Sequence, residues 1–440
     1  LSDRPSKQAI QTATDLVIVG SGASGLMAAV CAGEKRIRCM LIERRHRPGL
    51  KLLMCGNNRC NITHRASVEE MQEAYGPPVA DFLAPALRRL SPADLLDWFR
   101  QRGLQTTVHD DDRVFPRSEN ADDVLHCFTD LLRDLSVPLV LNSAVTGIDA
   151  VPGGYRIRSD AFDIVSRTVL LATGGVSYPK TGSVGDGQRF ARDLGHKIAP
   201  YRPGLAGIEF EQSWLRPAED ISLPETRVTI FAGQRAAGET CGEILLSRQC
   251  ARGPAMVNAT RLIARDDLRE LSFSVDLFPD RTEGELHSTL SQAAKRCRGD
   301  MPRALSDARL LPPPLCRGFV ADVGAADPKA IARALKNWTV IPVRIRPLKE
   351  AMVTVGGVFL DEIDPHTLES RLRPGLFFAG EVMDVDGPTG GYNLHAAFAT
   401  AQLAVDAVAA KLDARGRTRM PPADLRRPTR RRKRRTSRRR

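Results

Sequence analysis

Leu16-Val17-Ile18-Val19, entered from Asp15, is an unbroken run rich in β-branched residues, the pattern of a strand buried on both faces. Leu26 to Ala32 follows as a run of small apolar residues, which predicts a helix packed close on a sheet. Cys39-Met40-Leu41-Ile42 predicts the next strand. Ser91-Pro92-Ala93-Asp94 combines an N-cap residue, a proline at the first helical position and an early acid. It predicts a helix carrying Leu95, Leu96, Trp98 and Phe99. From Asn120, the positions Val124, Leu125, Phe128, Leu131, Leu132 and Leu135 recur at helical spacing, and both stripes read as core packing. Short strands are then predicted at Leu139-Val140-Leu141, Tyr155 to Arg158 and Thr168 to Leu171.

The texture changes near Gly195. Val228 to Phe231, Glu243 to Leu246 and Leu271 to Phe278 predict strands broken by Gly and Pro, and 281–337 reads as helical with a break at Pro312-Pro313-Pro314. Val340 to Val343 predicts another strand. From Met352 the glycine-rich α/β texture returns, with a strand over Arg373 to Glu381 and a helix over Leu394 to Ala410. The expected organisation is an α/β chain in which one nucleotide-binding domain is split, over 14–195 and 352–412. Between its halves lie a β-rich insertion over 196–280 with a return strand at 338–351, and a helical domain over 281–337. A basic tail over 413–440 ends the chain.

The first strand runs into Gly20-Ser21-Gly22-Ala23-Ser24-Gly25, the G-x-G-x-x-G pattern, and Glu43 ends the second strand eighteen residues past Gly25. In a dinucleotide fold, Gly20 makes the tight turn and Gly22 lets the backbone approach a pyrophosphate. Gly25 lets the helix lie close to the strand, and Glu43 accepts hydrogen bonds from a ribose. The free N–H groups and dipole of the helix N-terminus hold the phosphates. An acid at 43 favours a free ribose hydroxyl, as in FAD or NAD. A late strand ending in Gly380-Glu381, followed by Gly390-Gly391 opening a helix, points to FAD. The helix N-terminus would face the flavin ring and stabilise the charge of its reduced form.

Composition changes this picture little. A 440-residue chain with 42% hydrophobic and 26% charged residues is long enough for two or three globular domains. No apolar run reaches the ~18 residues of a membrane span, and the polar first fourteen residues carry no export signal core, so no membrane association is expected. Nine cysteines without a pairing framework fit a reducing cytoplasm. The net charge of +12 comes almost wholly from 426–440, where eleven Arg or Lys occur without an acid. Such a run is expected to be disordered. Nucleic acid is expected as a partner only through this tail, because the rest of the chain is nearly neutral.

Beyond the first glycine motif, Gly49-Leu50-Lys51-Leu52-Leu53-Met54-Cys55-Gly56-Asn57-Asn58-Arg59-Cys60-Asn61-Ile62-Thr63 is similar to a Gly-Arg-Lys-x-x-x-Ser-Gly-Gly-Gly-Arg-Cys-Asn-x-Thr motif. With Arg113 to Pro116, Ala172 to Pro179, Gly242 to Leu245, Thr354 to Val358 and Gly380 to Asn393, it resembles the BaiN/YhiN-type flavoproteins, relatives of the glutathione-reductase-like FAD enzymes, over about 14–412. The resemblance implies a discontinuous Rossmann-like FAD-binding domain with an inserted β-barrel-like domain and a helical domain. It also implies FAD as cofactor and NADH or NADPH as co-substrate, with reduction of a conjugated carbonyl or oxidation of an amine as the reaction. The expected cofactor-binding residues are Gly20, Gly22, Ala23, Ser24, Gly25, Glu43 and Arg44, then Lys51, Asn61 and Val145, then Thr173, Gly174 and Gly175. Gly380, Glu381, Gly390, Gly391, Tyr392 and Asn393 complete them. No catalytic residue and no metal ligand is singled out.

The chain departs from that family where Phe-Thr-His and Gly-x-Ser-Gly-Pro become Leu246-Ser247-Arg248 and Cys250-Ala251-Arg252-Gly253-Pro254. The family's histidine is thereby lost. Cys55 and Cys60 have the C-x-x-x-x-C spacing of flavin disulfide reductases, but a Gly-Asn-Asn loop is not the usual helix-borne dithiol, and a packing role is expected. Arg113, Arg117, Arg248 and Arg252 are candidates to clamp a carboxylate substrate. The expected activity is that of an FAD-dependent oxidoreductase acting on a small organic molecule. The alternatives are an RNA-associated flavoprotein, a flavin disulfide reductase, or a flavin-loaded regulatory protein without turnover.

Overall fold

The computed structural model describes residues 14–215, 220–324 and 326–414, so from residue 415 onward the expected basic tail lies outside the described residues. Five strands form the parallel part of the first sheet, in the order Leu139–Val140, Cys39–Ile42, Thr14–Val19, Asp163–Leu171 and Leu376–Phe378. Asp163–Leu171 divides one of its edges between two neighbours. Its start pairs antiparallel with Gly154–Ser159, which forms a hairpin with Val145–Val151, and its end pairs parallel with Leu376–Phe378. The last strand is therefore shorter than the 373–381 expected from sequence. Gly375 and Gly380, both at positive φ, bracket it and turn the chain.

The helix Ala23–Glu34 is buried from Ser24 to Ala32 because it lies between this sheet and the long helix Tyr392–Ala414. A helix covered on both sides shows no apolar stripe, only small residues. After the short helix Leu50–Met54, four longer helices follow, Val68–Tyr75, Val79–Arg89, Pro92–Gln101 and Ala121–Asp134. Ser91 and Asp94 form the reciprocal cap expected of the third, and Asn120 caps the fourth. Trp98, Phe99 and Phe128 interlock with Phe398 of the C-terminal helix at ring separations of 5.0–5.9 Å, so both stripes are core. A small antiparallel sheet, Thr63–His64, Arg113–Pro116 and Thr106–Val108, extends this layer.

The chain leaves this body along Arg202–Gly204 and returns along Val353–Val355, and these two segments pair antiparallel. Between them is a seven-stranded antiparallel sheet in the order Trp338–Val340, Leu271–Asp276, Ile221–Ala232, Arg235–Leu246, Ala251–Arg252, Ile208–Phe210 and Pro342–Ile345. The first and last strands in that order are consecutive in sequence, joined by Ile341, so one stretch of chain borders both edges and the sheet wraps back on itself. Helices Glu283–Arg296, Met301–Asp307, Pro313–Val323 and Pro328–Lys336 cover it and share its separate core. Helix Pro254–Leu262 packs on Arg235–Leu246 and reaches the junction, where Val257 meets Leu205 and Val353.

Candidate active site

At the end of the first strand the backbone is set for close approach. Gly20 has φ +99°, and a Cβ there would stand 2.6 Å from the Ala172 carbonyl oxygen. A Cβ on Gly25 would lie 2.9 Å from the carbonyl carbon of Gly20 and closer still to its oxygen, so the helix can sit on the turn only with glycine. Gly22 is different. It is extended, at φ −71° and ψ −169°, and nothing lies within 4 Å of where its Cβ would be. That space belongs to the cleft and is what a bound pyrophosphate needs. No side chain caps this helix, so its first N–H groups remain free toward the same space. Glu43 accepts from Ser21 N (3.0 Å) and Ser21 Oγ (2.7 Å) through one oxygen and from Arg45 N (2.8 Å) through the other. It thus braces the glycine turn while lining the cleft.

The other wall is organised by Glu381. Its carboxylate pairs with Lys51 Nζ at 2.6 Å and accepts from Thr354 N at 2.7 Å. Lys51 also donates to Ser177 Oγ at 2.7 Å. Thr354 Oγ1 in turn receives Val176 N and Ser177 N. Four stretches of chain far apart in sequence, at Lys51, Val176-Ser177, Thr354 and Glu381, are joined at this one partly buried ion pair. Gly390 and Gly391 precede the C-terminal helix at φ +116° and +104°, and a Cβ on Gly391 would stand 2.7 Å from Thr63 Cα. Asn393 folds back to bond Gly387 and Pro388, which fixes the loop before the helix. His395, one turn in, bridges Thr63 Oγ1 and the Leu90 carbonyl oxygen, each at 2.9 Å. Burial lowers its pKa to about 4, so it is a neutral brace.

These walls enclose one cleft of about 830 Å³. It is lined by Gly20, Gly22, Ala23, Ser24, Glu43, Arg44, Lys51, Asn61, Val145, Thr173, Gly174, Gly380, Glu381, Gly390, Gly391 and Asn393 of the expected set. The other three lie behind the wall. Gly25 packs on Gly20, and Gly175 sits against Thr354 and Glu381. Tyr392 stacks on His64 at 5.1 Å with its backbone held by Tyr75. Met54, Tyr178, Pro254, Val257 and Met352 also line the cleft and are not among the residues expected there from sequence. Only tertiary folding brings them there, although Met54, Tyr178 and Pro254 fall within the motifs compared above.

The lining fits FAD on its own chemistry. Asn61 Oδ1 and Thr173 Oγ1 are buried without a partner, both on residues facing the cleft. Met54 and Met352 leave 45% and 44% of their surface bare, which supplies apolar contact for a planar ring system. Both glycine motifs line the same space.

Cys55 and Cys60 are both free thiols. Burial pushes Cys55 up to about 11 and Cys60 well above the usual thiol range, which disfavours the thiolate that disulfide exchange requires. Of the four arginines proposed as a clamp, Arg113 and Arg252 reach the cleft and Arg117 and Arg248 do not. Arg113 is paired with Asp111, and Arg252 with Asp220 at 2.7 Å.

The inserted domain grips the loop before the C-terminal helix through helix Pro254–Leu262 and the residues after it. Arg261 pairs with Asp386 at 2.6 Å and donates to the carbonyl oxygens of Tyr75 and Asp386; only 10–11% of either side chain in the pair is exposed. Arg265 bonds Asp384, and Asn258 accepts from Thr389 N.

The model of the HI0933-like protein Rossmann domain matches residues 14–407. The chain belongs to this family. That places it with the BaiN/YhiN-type proteins and makes it an FAD-dependent oxidoreductase on a Rossmann-like FAD-binding fold. Among curated relatives it is 28% identical over 406 residues to a 3-dehydro-bile acid delta(4,6)-reductase of Clostridium scindens, covering 89% of this chain and 98% of that protein. It is 28% identical over 408 residues to the ribosomal RNA dihydrouridine synthase of Escherichia coli, covering 90% and 98%. Among solved structures, 3-ketosteroid-delta4-(5alpha)-dehydrogenase from Rhodococcus jostii RHA1 shares the fold at a TM-score of 0.53 with 13% identity, covering 92% of this chain and 98% of that one. Among the described residues of this family member, no helix is long and apolar enough to cross a membrane.

Proposed function

We propose that the protein reduces a carbon–carbon double bond conjugated to a carbonyl, using FAD held in the cleft and electrons from NADH or NADPH in a reducing, cytoplasmic setting. The observation that carries this reading is the single cleft onto which both the Gly22 turn and the Gly390-Gly391 helix start open. The two curated relatives add support, since both names describe saturation of a ring double bond, in a bile acid for one and in uridine for the other.

In this reading the helix N-terminus at Gly22 to Ser24 holds the pyrophosphate and Glu43 the adenosine ribose. Lys51 and Glu381 hold the middle of the cofactor, and the helix beginning at Tyr392 presents its N-terminal dipole to the ring. When bound, FAD supplies the hydride chemistry. The residues of the chain supply orientation, and the apolar wall around Met352, Val257 and Pro254 excludes water from the substrate side. Anaerobic mixing tests this. NADH or NADPH should bleach the yellow flavin band, and a conjugated steroid ketone or uridine-containing RNA should restore it. Failure of every conjugated carbonyl to restore it refutes the proposal.

A second reading makes the carbonyl a uracil within RNA. It is supported by the dihydrouridine synthase relatives in Escherichia coli and Haemophilus influenzae and by the eleven cationic residues of 426–440. These would bind phosphates without reading sequence. Dihydrouridine formed in RNA by the full chain, and lost on removal of the tail, would select it over a free small molecule.

A further inference from the structure

Saturating a conjugated double bond needs a hydride at one carbon and a proton at the carbon next to the carbonyl. The residue that gives the proton is open in this chain, because the family's histidine is replaced by Arg248, which does not reach the cleft. Each acid that lines the cleft is already an acceptor. Glu43 receives Ser21 and Arg45, Asp186 pairs with Arg44, and Glu243 receives Ser222. Glu350 pairs with Arg346, and Glu381 with Lys51. Among the neutral side chains on the wall, the phenol of Tyr178 and the thiol of Cys55 are the two acids stronger than an alcohol or an amide.

Tyr178 stands out by its backbone. It sits in the left-handed region at φ 49° and ψ 58°, directly before the short helical turn Pro179–Thr181. A bulky residue there is uncommon, and such strain gathers at functional positions. Its neighbour Ser177 is tied to Lys51 and to the Met352 carbonyl oxygen, and Thr181 Oγ1 donates to the Tyr178 carbonyl oxygen, so the segment is fixed on both sides. The Tyr178 hydroxyl makes no hydrogen bond to another described residue. We propose that the Tyr178 hydroxyl is the proton donor to the carbon adjacent to the substrate carbonyl. Burial, and next the nearby Cys55, raise the phenol above its ordinary range, so it carries its proton at neutral pH.

The proposal rests on the reading above and completes its balance. FAD held in the cleft would supply a hydride to the far carbon of the substrate, and the π pair would move toward the carbonyl. The neighbouring carbon then takes the phenolic proton as the O–H bond breaks. Water from the cleft mouth returns a proton to the phenolate.

Two measurements on full-length Tyr178→Phe test it. Raising the pH should titrate the oxidised flavin band of the parent above the ordinary tyrosine range, and the variant should lose that titration. A titration that persists unchanged, or is absent from the parent, overturns the assignment whatever the substrate proves to be. In stopped flow, reoxidation of the reduced variant by 4-androstene-3,17-dione or uridine-containing RNA should slow by about 100-fold or more, while reoxidation by ferricyanide stays at the parent rate. Parent-like reoxidation by the probe that serves the parent overturns it, as does a loss found in Cys55→Ala instead. If no conjugated carbonyl reoxidises the parent, the proposed function fails and the pH titration alone judges where Tyr178 stands.

Discussion

Gly22→Val and Gly25→Ala separate a cofactor site from a packing site within one short motif. The Gly22 backbone is extended, and nothing stands within 4 Å of its missing Cβ, so valine meets no protein atom at that point. The structural cost is a poorer N-cap residue, about 1 kcal/mol at most. For the bound cofactor, the added side chain fills the approach of the pyrophosphate and displaces charge-assisted hydrogen bonds to the helix N-terminus. Each of these contributes ~1.5–3 kcal/mol, so losing two weakens FAD by about 3 kcal/mol or more, over 100-fold in Kd. Gly25→Ala reverses the pattern, because its Cβ would stand 2.9 Å from the Gly20 carbonyl carbon and nearer to its oxygen. Overpacking of this kind costs ~1–3 kcal/mol or more in stability. Thermal melting of deflavinated protein, beside FAD titration followed by flavin fluorescence quenching, reads both. A folded Gly22→Val protein that binds FAD as tightly as the parent would refute the placement of the pyrophosphate.

The remaining expectations concern other parts of the molecule. Cys55→Ser should turn over as the parent does, and neither protein should show a thiolate–flavin charge-transfer band on partial reduction; a band in the parent alone would establish a working dithiol. Burial depresses the His395 pKa from 6.5 to about 4, so the unfolded chain binds the extra proton first as pH falls. Stability should be fully present above pH 6.5 and fall by about 3 kcal/mol toward pH 4. His395→Gln should flatten that part of the melting-temperature profile, and an unchanged slope would contradict it. Arg261→Gln leaves Asp386 buried without its partner and should cost ~3–5 kcal/mol; Asp386→Asn in the same chain should recover much of this in a double-mutant cycle. Truncation after Asp413 should leave flavin content unchanged and abolish salt-sensitive retention on a polyanion column, since fourteen cationic residues are removed.

The positions legible in the sequence are those where the backbone itself imposes a residue type. Gly20 and Gly25 are confined by turn geometry and close approach, Gly22 belongs to the same motif, and Glu43 lies at the distance set by one helix and one strand. Gly390 and Gly391 declare themselves likewise through positive φ. The rest of the cleft is assembled by tertiary contact. Met352 arrives on the chain's return from the inserted domain, and Val257 and Pro254 come from a helix of that domain. Their side chains are ordinary apolar residues whose local pattern says nothing of a ligand. The long hairpin Ile221–Ala232 and Arg235–Leu246 is predicted only at Val228 to Phe231 and Glu243 to Leu246, because the start of its second strand is largely exposed and polar. The small sheet around Arg113–Pro116 is built from two- to four-residue strands, too short to show a period.

The divided edge of Asp163–Leu171 bears on how the chain is made. Its last three residues, Val169 to Leu171, have no partner on one side until Leu376–Phe378 has been synthesised, about two hundred residues later. In that interval the inserted domain, contiguous in sequence and with its own core, can finish folding first. The nascent nucleotide domain meanwhile presents three apolar residues on an open parallel edge, a place for wrong pairing with another chain. A ribosome-stalled fragment ending before residue 376 should therefore bind hydrophobic-surface chaperones more strongly than one extended through the C-terminal helix.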